Sequence, residues 1–531
     1  MKKHILALVA FVVMGMVAHA QTNVTFLNQK TYSANLNDVW GYVDADSNEY
    51  ALVGVRNGFS VVDVTDPSNL VEQFFIPGKP STWRDIKTWD HFAYVMHDYA
   101  GGASPNNGLL IVDLDSMTNP TYEFMYPKYI ANDSIVADSA TRSHNLWIDE
   151  NGFLYIFGAD VALGGALIYD IATDPWHPEY VGIFNSAYLH DGYVRNDTLY
   201  GAALTNGMVI SNVSNKSQPQ YLASFQTPGN FAHNCWLSDD GKTIFTTDEI
   251  SSGYIAAYDI SNFSNIGETD RFRVTPNNQT IPHNAHVLNE FVVTSYYTYG
   301  LQILDAKDPS WLIEVGQYDS SPLSGDGYDG AWGAYPFLPS GNALITDIQE
   351  GLFVVSPSYT AAARLYGSVE DSVSGTLLPN AKVYLKANAD SVALNPLDAS
   401  FKRHHVGSFI DTIEIKMAGY RDLKLPVSYL EGGLDTVVFK MLPIDFSVSE
   451  ENSSQLVMAP NPAIDAVTIQ SEEGLKGAEV SVIDLTGKVV YSKAWNSGST
   501  EMKLNLDLAS GVYLIKVSGS KVNWTERLVI R

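Results

Sequence analysis

Seven positions recur just where the chain enters a strand: Asn37, Arg84, His144, His190, His233, His283 and Asp329. Each is followed by a second recurring residue, Asp38, Asp85, Asn145, Asp191, Asn234, Asn284 or Gly330. Three residues beyond the first set stand Trp40, Lys87, Trp147, Tyr193, Trp236, His286 and Trp332. If these strands line the channel of a closed ring, equal positions form levels, and four neighbouring sheets aim imidazoles at one of them. Neutral imidazole is a common zinc ligand, so His190, His233 and His283, joined by Asp329, form a candidate set for a divalent ion, zinc or calcium. Asp191, Asn234 and Asn284 would then orient the ligands. The competing expectation is that each ring nitrogen bonds the backbone of the next sheet and fixes the angle between sheets. Arg84 at the same level favours that second reading, because a nearby cation would repel it.

Stepping outward, the elements that carry these residues are spelled out by a repeated phrase, a glycine followed by a hydrophobic run ending in Asp or Asn and a turn. The copies begin at Gly58, Gly108, Gly165, Gly207, Gly253, Gly300 and Gly351, as in GFSVVDV, GLLIVDL and GLQILDA. Repeats of this length built from short β-branched strands indicate a β-propeller rather than a helical solenoid. Four strands fall in each repeat, but the last stops after its third, GLFVVS. The otherwise unemployed segment NVTFLNQ, residues 23–29, is expected to supply the missing strand and so remove an exposed sheet edge. From Ala361 the phrase disappears, and alternating segments such as FIDTIEIKMAGY indicate two small Ig-like β-sandwiches. The expected class is all-β: a seven-bladed β-propeller over residues 21–360, a sandwich over 361–445, a linker over 446–455 and a second sandwich over 456–531.

Compartment follows from the ends of the chain and its composition. Lys2-Lys3, an apolar run from Ile5 and Ala18-His19-Ala20 read as a secretory signal peptide over residues 1–20. That run is too short to span a bilayer, and no later segment is long and apolar enough. The lone Cys235 excludes an intramolecular disulfide. A formal net charge of −27 excludes nucleic acid and anionic lipid as partners, since both require a cationic surface.

Two stretches resemble known families. The propeller is similar to LVIVD-repeat, choice-of-anchor B surface proteins through YLHDGYV, AHNCWLSDDGKTIFTTDE, PHNAHV and GAWGAYPFLPSGNALITDIQEGLFVV. The tail resembles the C-terminal sorting domain of type IX secretion substrates of Bacteroidota, through Pro460-Asn461-Pro462, VIDLTGKVV and LASGVYLIKV with its Gly511 and Tyr513. That likeness implies export across the outer membrane by the type IX machinery, followed by release or anchoring at the surface. The middle sandwich is similar to carboxypeptidase-regulatory-like modules through GSVEDSVSG, LPNAKVYL and AGYRDLKL.

The sequence contains no nucleophile elbow, phosphate loop, HExxH helix or CxxC pair. Cys235 between Asn234 and Trp236 reads as packing, and the adjacent Asp248-Glu249 pair points to opposite faces of a strand, so it cannot act as a glycosidase dyad. The expected function is a secreted or cell-surface, non-catalytic binding or scaffold protein for an extracellular glycan or protein ligand, with Arg84, His144, His190, His233, His283 and Asp329 as its channel ring. The alternatives are a metal-dependent hydrolase or lyase using those histidines, and a carbohydrate-binding protein that stacks its Trp and Tyr rings on sugars.

Overall fold

The computed structural model describes residues 21–102, 104–130, 137–274, 279–386, 391–444, 456–520 and 522–531. The expected signal peptide and the 446–455 linker lie outside the described residues. The fold is all-β, and the chain divides into two compact units. One comprises residues 1–366, 402–411 and 426–437; the other comprises 367–401, 412–425 and 438–531. The segment expected as a separate middle sandwich is therefore shared between the two. Among the described residues, no helix is long and apolar enough to cross a membrane.

The first unit is a β-propeller. It contains seven successive antiparallel sheets, six of them built from four strands in chain order, beginning with Leu36–Val43, Glu49–Val55, Gly58–Asp63 and Val71–Pro77. The innermost strands touch one another in sequence, and Leu36–Val43 also touches Ala331–Tyr335 of the last sheet, so the ring is closed. The two central strands of each sheet are packed on both faces by neighbouring sheets. Glu49–Val55 is buried along its whole length, whereas the outer Val71–Pro77 is largely exposed. That double-sided burial is why the repeated phrase reads as a continuous apolar run rather than an alternation.

The phrase's two end residues have separate physical causes. A Cβ on Gly58 would collide with the carbonyl of Ile76 on the outer strand, and one on Gly300 with that of Tyr318. At Gly351 the colliding carbonyl belongs to Lys30, which shows the amino-terminal strand occupying the outer position of the last sheet. The terminal Asp or Asn closes an Asx turn. Asp63, Asp113, Asn212, Asp259 and Asp305 each accept a hydrogen bond from the backbone N–H two residues on, at 2.9–3.0 Å.

Val24–Lys30 pairs with Gly351–Pro357, from Val24 opposite Pro357 to Lys30 opposite Leu352. A further short strand, Gln21–Thr22, adds to the sixth sheet beside Ile313–Tyr318, which the sequence did not suggest. Asn23, at a positive φ of 53°, turns the corner between the two, and its side-chain amide donates to the Val315 carbonyl at 2.7 Å. The amino terminus thus ties two sheets together. After the last sheet, Arg364 returns to the sixth: its guanidinium meets Asp305 at 2.8 Å, both side chains being 1% exposed, while Asp305 also accepts the Ala362 N–H.

In the second unit, residues 456–531 form a sheet of three strands and a sheet of four that share one core around Ile469, Val480, Val482, Trp495, Leu504 and Ile515. Asn461 staples its ends, donating to the Arg527 carbonyl at 2.6 Å and accepting the Val529 N–H at 2.9 Å. Tyr513 donates to the Ala509 carbonyl. Gly511 lies opposite Ile530. Pro460 and Pro462 flank Asn461.

Removing residues 21–30 leaves the last sheet with a bare edge along Gly351–Pro357. The expected outcome is a lower thermal midpoint together with concentration-dependent association, read by calorimetry and light scattering at several protein concentrations.

Candidate functional site

The inner strands place their first residues around one mouth of the channel. Register fixes the equivalences: Asn234 lies opposite Thr247 and Trp236 opposite Phe245, while Asp85, Asn145 and Asp191 hold the corresponding places in their sheets. In six sheets the levels are those the spacing suggested. The last sheet differs. Ala331 lies opposite Asp347 and Gly333 opposite Thr346, with a bulge at Trp332, as Ala232 and Asn234 flank the bulge at His233. Trp332 therefore occupies the histidine level, Gly333 the second and Tyr335 the third. Asp329 sits three residues outside the ring, half-buried and bonded to the Gln349 amide at 2.5 Å. Gly333 is glycine because a Cβ there would strike Thr346 and the carboxylate of Asp38.

His144, His190, His233, His283 and Trp332 form a continuous arc, with successive ring centroids 3.8, 4.6, 4.4 and 4.7 Å apart. The other ring members serve the backbone. Arg84, 1% exposed, donates to the carbonyls of Val55 at 3.1 Å and Lys79 at 2.7 Å, and Asn37 donates to that of Thr82. Burial holds the Arg84 guanidinium down at about 10. Of the histidines, His283 makes the expected bond to the next sheet, from Nδ1 to the Trp332 carbonyl at 2.6 Å. His190 turns instead to its own neighbour, Asp191, at 3.0 Å, and His233 Nδ1 has no hydrogen-bond partner among the described residues.

The inter-sheet bonding falls mainly to the second level. Asp85 accepts the Leu146 N–H at 2.7 Å. Asn234 donates to Asp191 at 3.0 Å and accepts the Ala285 N–H at 3.1 Å, linking three consecutive sheets. Lys87 reaches up from the third level to Asp85 at 2.7 Å and Asp38 at 3.7 Å. Burial of this group drives the Asp38 carboxyl well above its usual range despite Lys87. Below, Trp40, Trp147, Tyr193, Trp236, His286 and Tyr335 interlock in edge-to-face and tilted pairs and narrow the channel. Cys235 is buried beside the Tyr200 carbonyl, and burial pushes its thiol far up.

Three residues that spacing did not reveal complete the mouth, all just past the end of a second strand. Glu249 lies 3.5 Å from His233 Nε2 and 3.7 Å from His283 Nε2, and Tyr297 donates to it at 2.6 Å. Asp98 lies 3.6 Å from His144 and pairs with Arg142 at 2.6 Å. Asp248, adjacent to Glu249, faces the other way and accepts from Thr227 and from the N–H groups of Gly229 and Phe231. Burial lowers His233 and His283 to about 3, so both are neutral near pH 7. Burial also opposes the charged form of His190, but Asp191 outweighs it and raises that imidazole. Burial would raise Asp191 itself, but His233 and His190 hold it well below the carboxylate range. The space enclosed beside Asp191, His233, His283 and Trp332 is a cavity of about 20 Å³, room for an ion or a water molecule.

Asn234→Leu removes two hydrogen bonds and leaves buried Asp191 and the Ala285 N–H short of a partner. A loss of about 2–4 kcal/mol is expected, read as a lower denaturation midpoint at unchanged slope.

Comparison with known proteins finds matches within both units. Residues 457–531 match the secretion system C-terminal sorting domain, and residues 45–76 and 194–227 match the LVIVD repeat. No curated protein matches the sequence significantly. Among solved structures, the chain is similar to the WD40 repeats of RRP9 (TM-score 0.43, 10% identity, 64% of this chain and 99% of that one). It is also similar to the WD40 β-propeller domain of Doa1 (0.45, 12%, 64% and 98%). A third likeness is to PorZ, described as an essential bacterial surface component of the type IX secretion system of Porphyromonas gingivalis (0.37, 14%, 96% and 59%). The chain spans 59% of that PorZ structure. The chain therefore carries LVIVD repeats in a β-propeller and ends in a secretion system C-terminal sorting domain, the mark of a protein that is secreted or attached to the cell surface.

Proposed function

We propose that this chain is a non-catalytic binding protein displayed outside the cell, with the histidine-lined mouth of the propeller as its binding face and the tail as its address to the type IX machinery. The observation that carries this reading is how the channel is filled. Three levels of side chains fill the axis, and the spaces left among them, about 20 Å³ at the histidine level and about 20 Å³ below it, are too small for an organic substrate. A partner must therefore be met on the rim.

The rim itself favours one class of partner. Trp83 is 40% exposed over His144, Tyr188 is 37% exposed beside His190, and Tyr328 is 56% exposed edge-on to Tyr297. Open aromatic faces around a polar centre suit the apolar face of a sugar ring, with hydroxyls reaching carboxylates and imidazoles between them. Exposed aromatics are also common anchors for protein partners, so a glycan is the second, narrower reading.

Two experiments test this. A glycan array probed with the purified protein is expected to give selective binding that falls at least tenfold in a Trp83→Ala/Tyr328→Ala double variant of unchanged melting temperature. Binding indifferent to that change removes the rim as the binding face. Separately, deletion of residues 456–531 is expected to leave the protein in the periplasm, measured by fractionation and by surface labelling of intact cells. Normal surface display of the deleted form would refute the role given to the tail.

A further inference from the structure

The mouth holds a charge pattern that hydrogen bonding alone leaves unresolved. Asp191 is 3% exposed, and the Glu249 side chain lies in the same enclosure at 14% exposure. Among the described residues, neither has a Lys or Arg within ion-pair distance. The groups that face them are imidazoles, and their hydrogen bonds fix the direction of the ring lone pairs. A backbone carbonyl only accepts, so His283 must donate to Trp332 through Nδ1, which leaves Nε2 directed at Glu249. His190 is held in the same way by Asp191, through Nδ1 at 3.0 Å. The second oxygen of Asp191 accepts from the Asn234 amide at 3.0 Å and lies 3.9 Å from His233 Nδ1, too far for a hydrogen bond to it.

The distances around Glu249 are informative. At 3.5 and 3.7 Å, its oxygens form no hydrogen bond with His233 or His283. The 3.5 Å between Glu249 and His233 instead suits two donors bound to one ion. Zinc bonds to nitrogen and oxygen of about 2.0–2.1 Å set neighbouring tetrahedral ligands about 3.3–3.4 Å apart. One ligand atom from each of His190, His233 and Glu249 lies within 4.8 Å of the others. Two of them are supported from behind, His190 by Asp191 and Glu249 by Tyr297, as outer contacts hold metal ligands in orientation.

We propose that His190, His233 and Glu249 bind one divalent transition-metal ion of the zinc class at the propeller mouth, with His283 standing beside the same carboxylate. Two imidazoles and one carboxylate select such an ion over calcium, which prefers six to eight oxygen ligands. The ion links the fourth sheet, which carries His190, to the fifth, which carries His233 and Glu249. It supplies a cross-sheet staple in a chain whose single cysteine forms no disulfide. Asp329 takes no part, because the register of the last sheet sets it outside the ring.

The test uses the purified protein, stripped of metal by a chelator and titrated with Zn(II), and separately with Co(II) as a spectroscopic stand-in. Expected are one equivalent bound with submicromolar affinity, the visible absorption of a four- or five-coordinate Co(II) ion, and a zinc-dependent rise in melting temperature. Glu249→Gln keeps an acceptor for Tyr297 and preserves the fold, and it is expected to weaken zinc at least a hundredfold. His233→Ala should do the same, and Asp191→Asn should weaken it about 10–100-fold. Should His233→Ala fail to fold in metal-free buffer, Glu249→Gln decides. Absence of a stoichiometric ion, weak binding of several equivalents, or full affinity in the Glu249→Gln protein overturns the assignment.

Discussion

Polar groups on the axis of a closed ring of sheets have to satisfy one another, because the sheets leave almost no room there for water. That constraint organises the propeller. Side chains of fixed length must meet across the channel at each level, and a residue that serves one sheet is chosen by what the next sheet offers. Asn234 illustrates it, giving its amide to Asp191 on one side and taking the Ala285 N–H on the other. Lys87 shows the same logic with charge, placing one ammonium against two buried carboxylates.

Closure of the ring is the companion condition. The levels align only if the last sheet is held at the same radius as the others, and the amino-terminal strand does this by completing that sheet and then catching the edge of the sixth. The glycine of the repeated phrase records the arrangement chemically, since each such position is crowded by backbone. In the last sheet the crowding carbonyl comes from Lys30, more than three hundred residues away in sequence. The histidine arc is thus a consequence of pairing far from it.

Much of this was legible in the chain. The phrase-terminal Asp forecasts a turn, the apolar runs forecast short propeller strands, and the one-per-sheet histidines forecast an arc at one level. The last sheet departs from the spacing by three residues because its inner strand carries no histidine, and GAWGAY places two aromatics three residues apart. The end of the second strand carries the true register, since Asp347 opposes Ala331 as Asp248 opposes Ala232. Glu249, Tyr297 and Asp98 had no such signal. They lie past the ends of strands, where the repeat imposes no common length, and Glu249 was visible only as half of an acidic pair.

By itself the sequence determined the repeat unit, the strands that compose it, the missing outer strand and the tail's address, because each depends on local pattern: periodicity, turn chemistry and a short motif. The tertiary structure decided which side chains share a level, which imidazole nitrogens point inward and which carboxylate faces them. Those are relations between sheets, set by ring closure and by register, and a shift of three residues along one inner strand exchanges an aspartate for a tryptophan at the mouth.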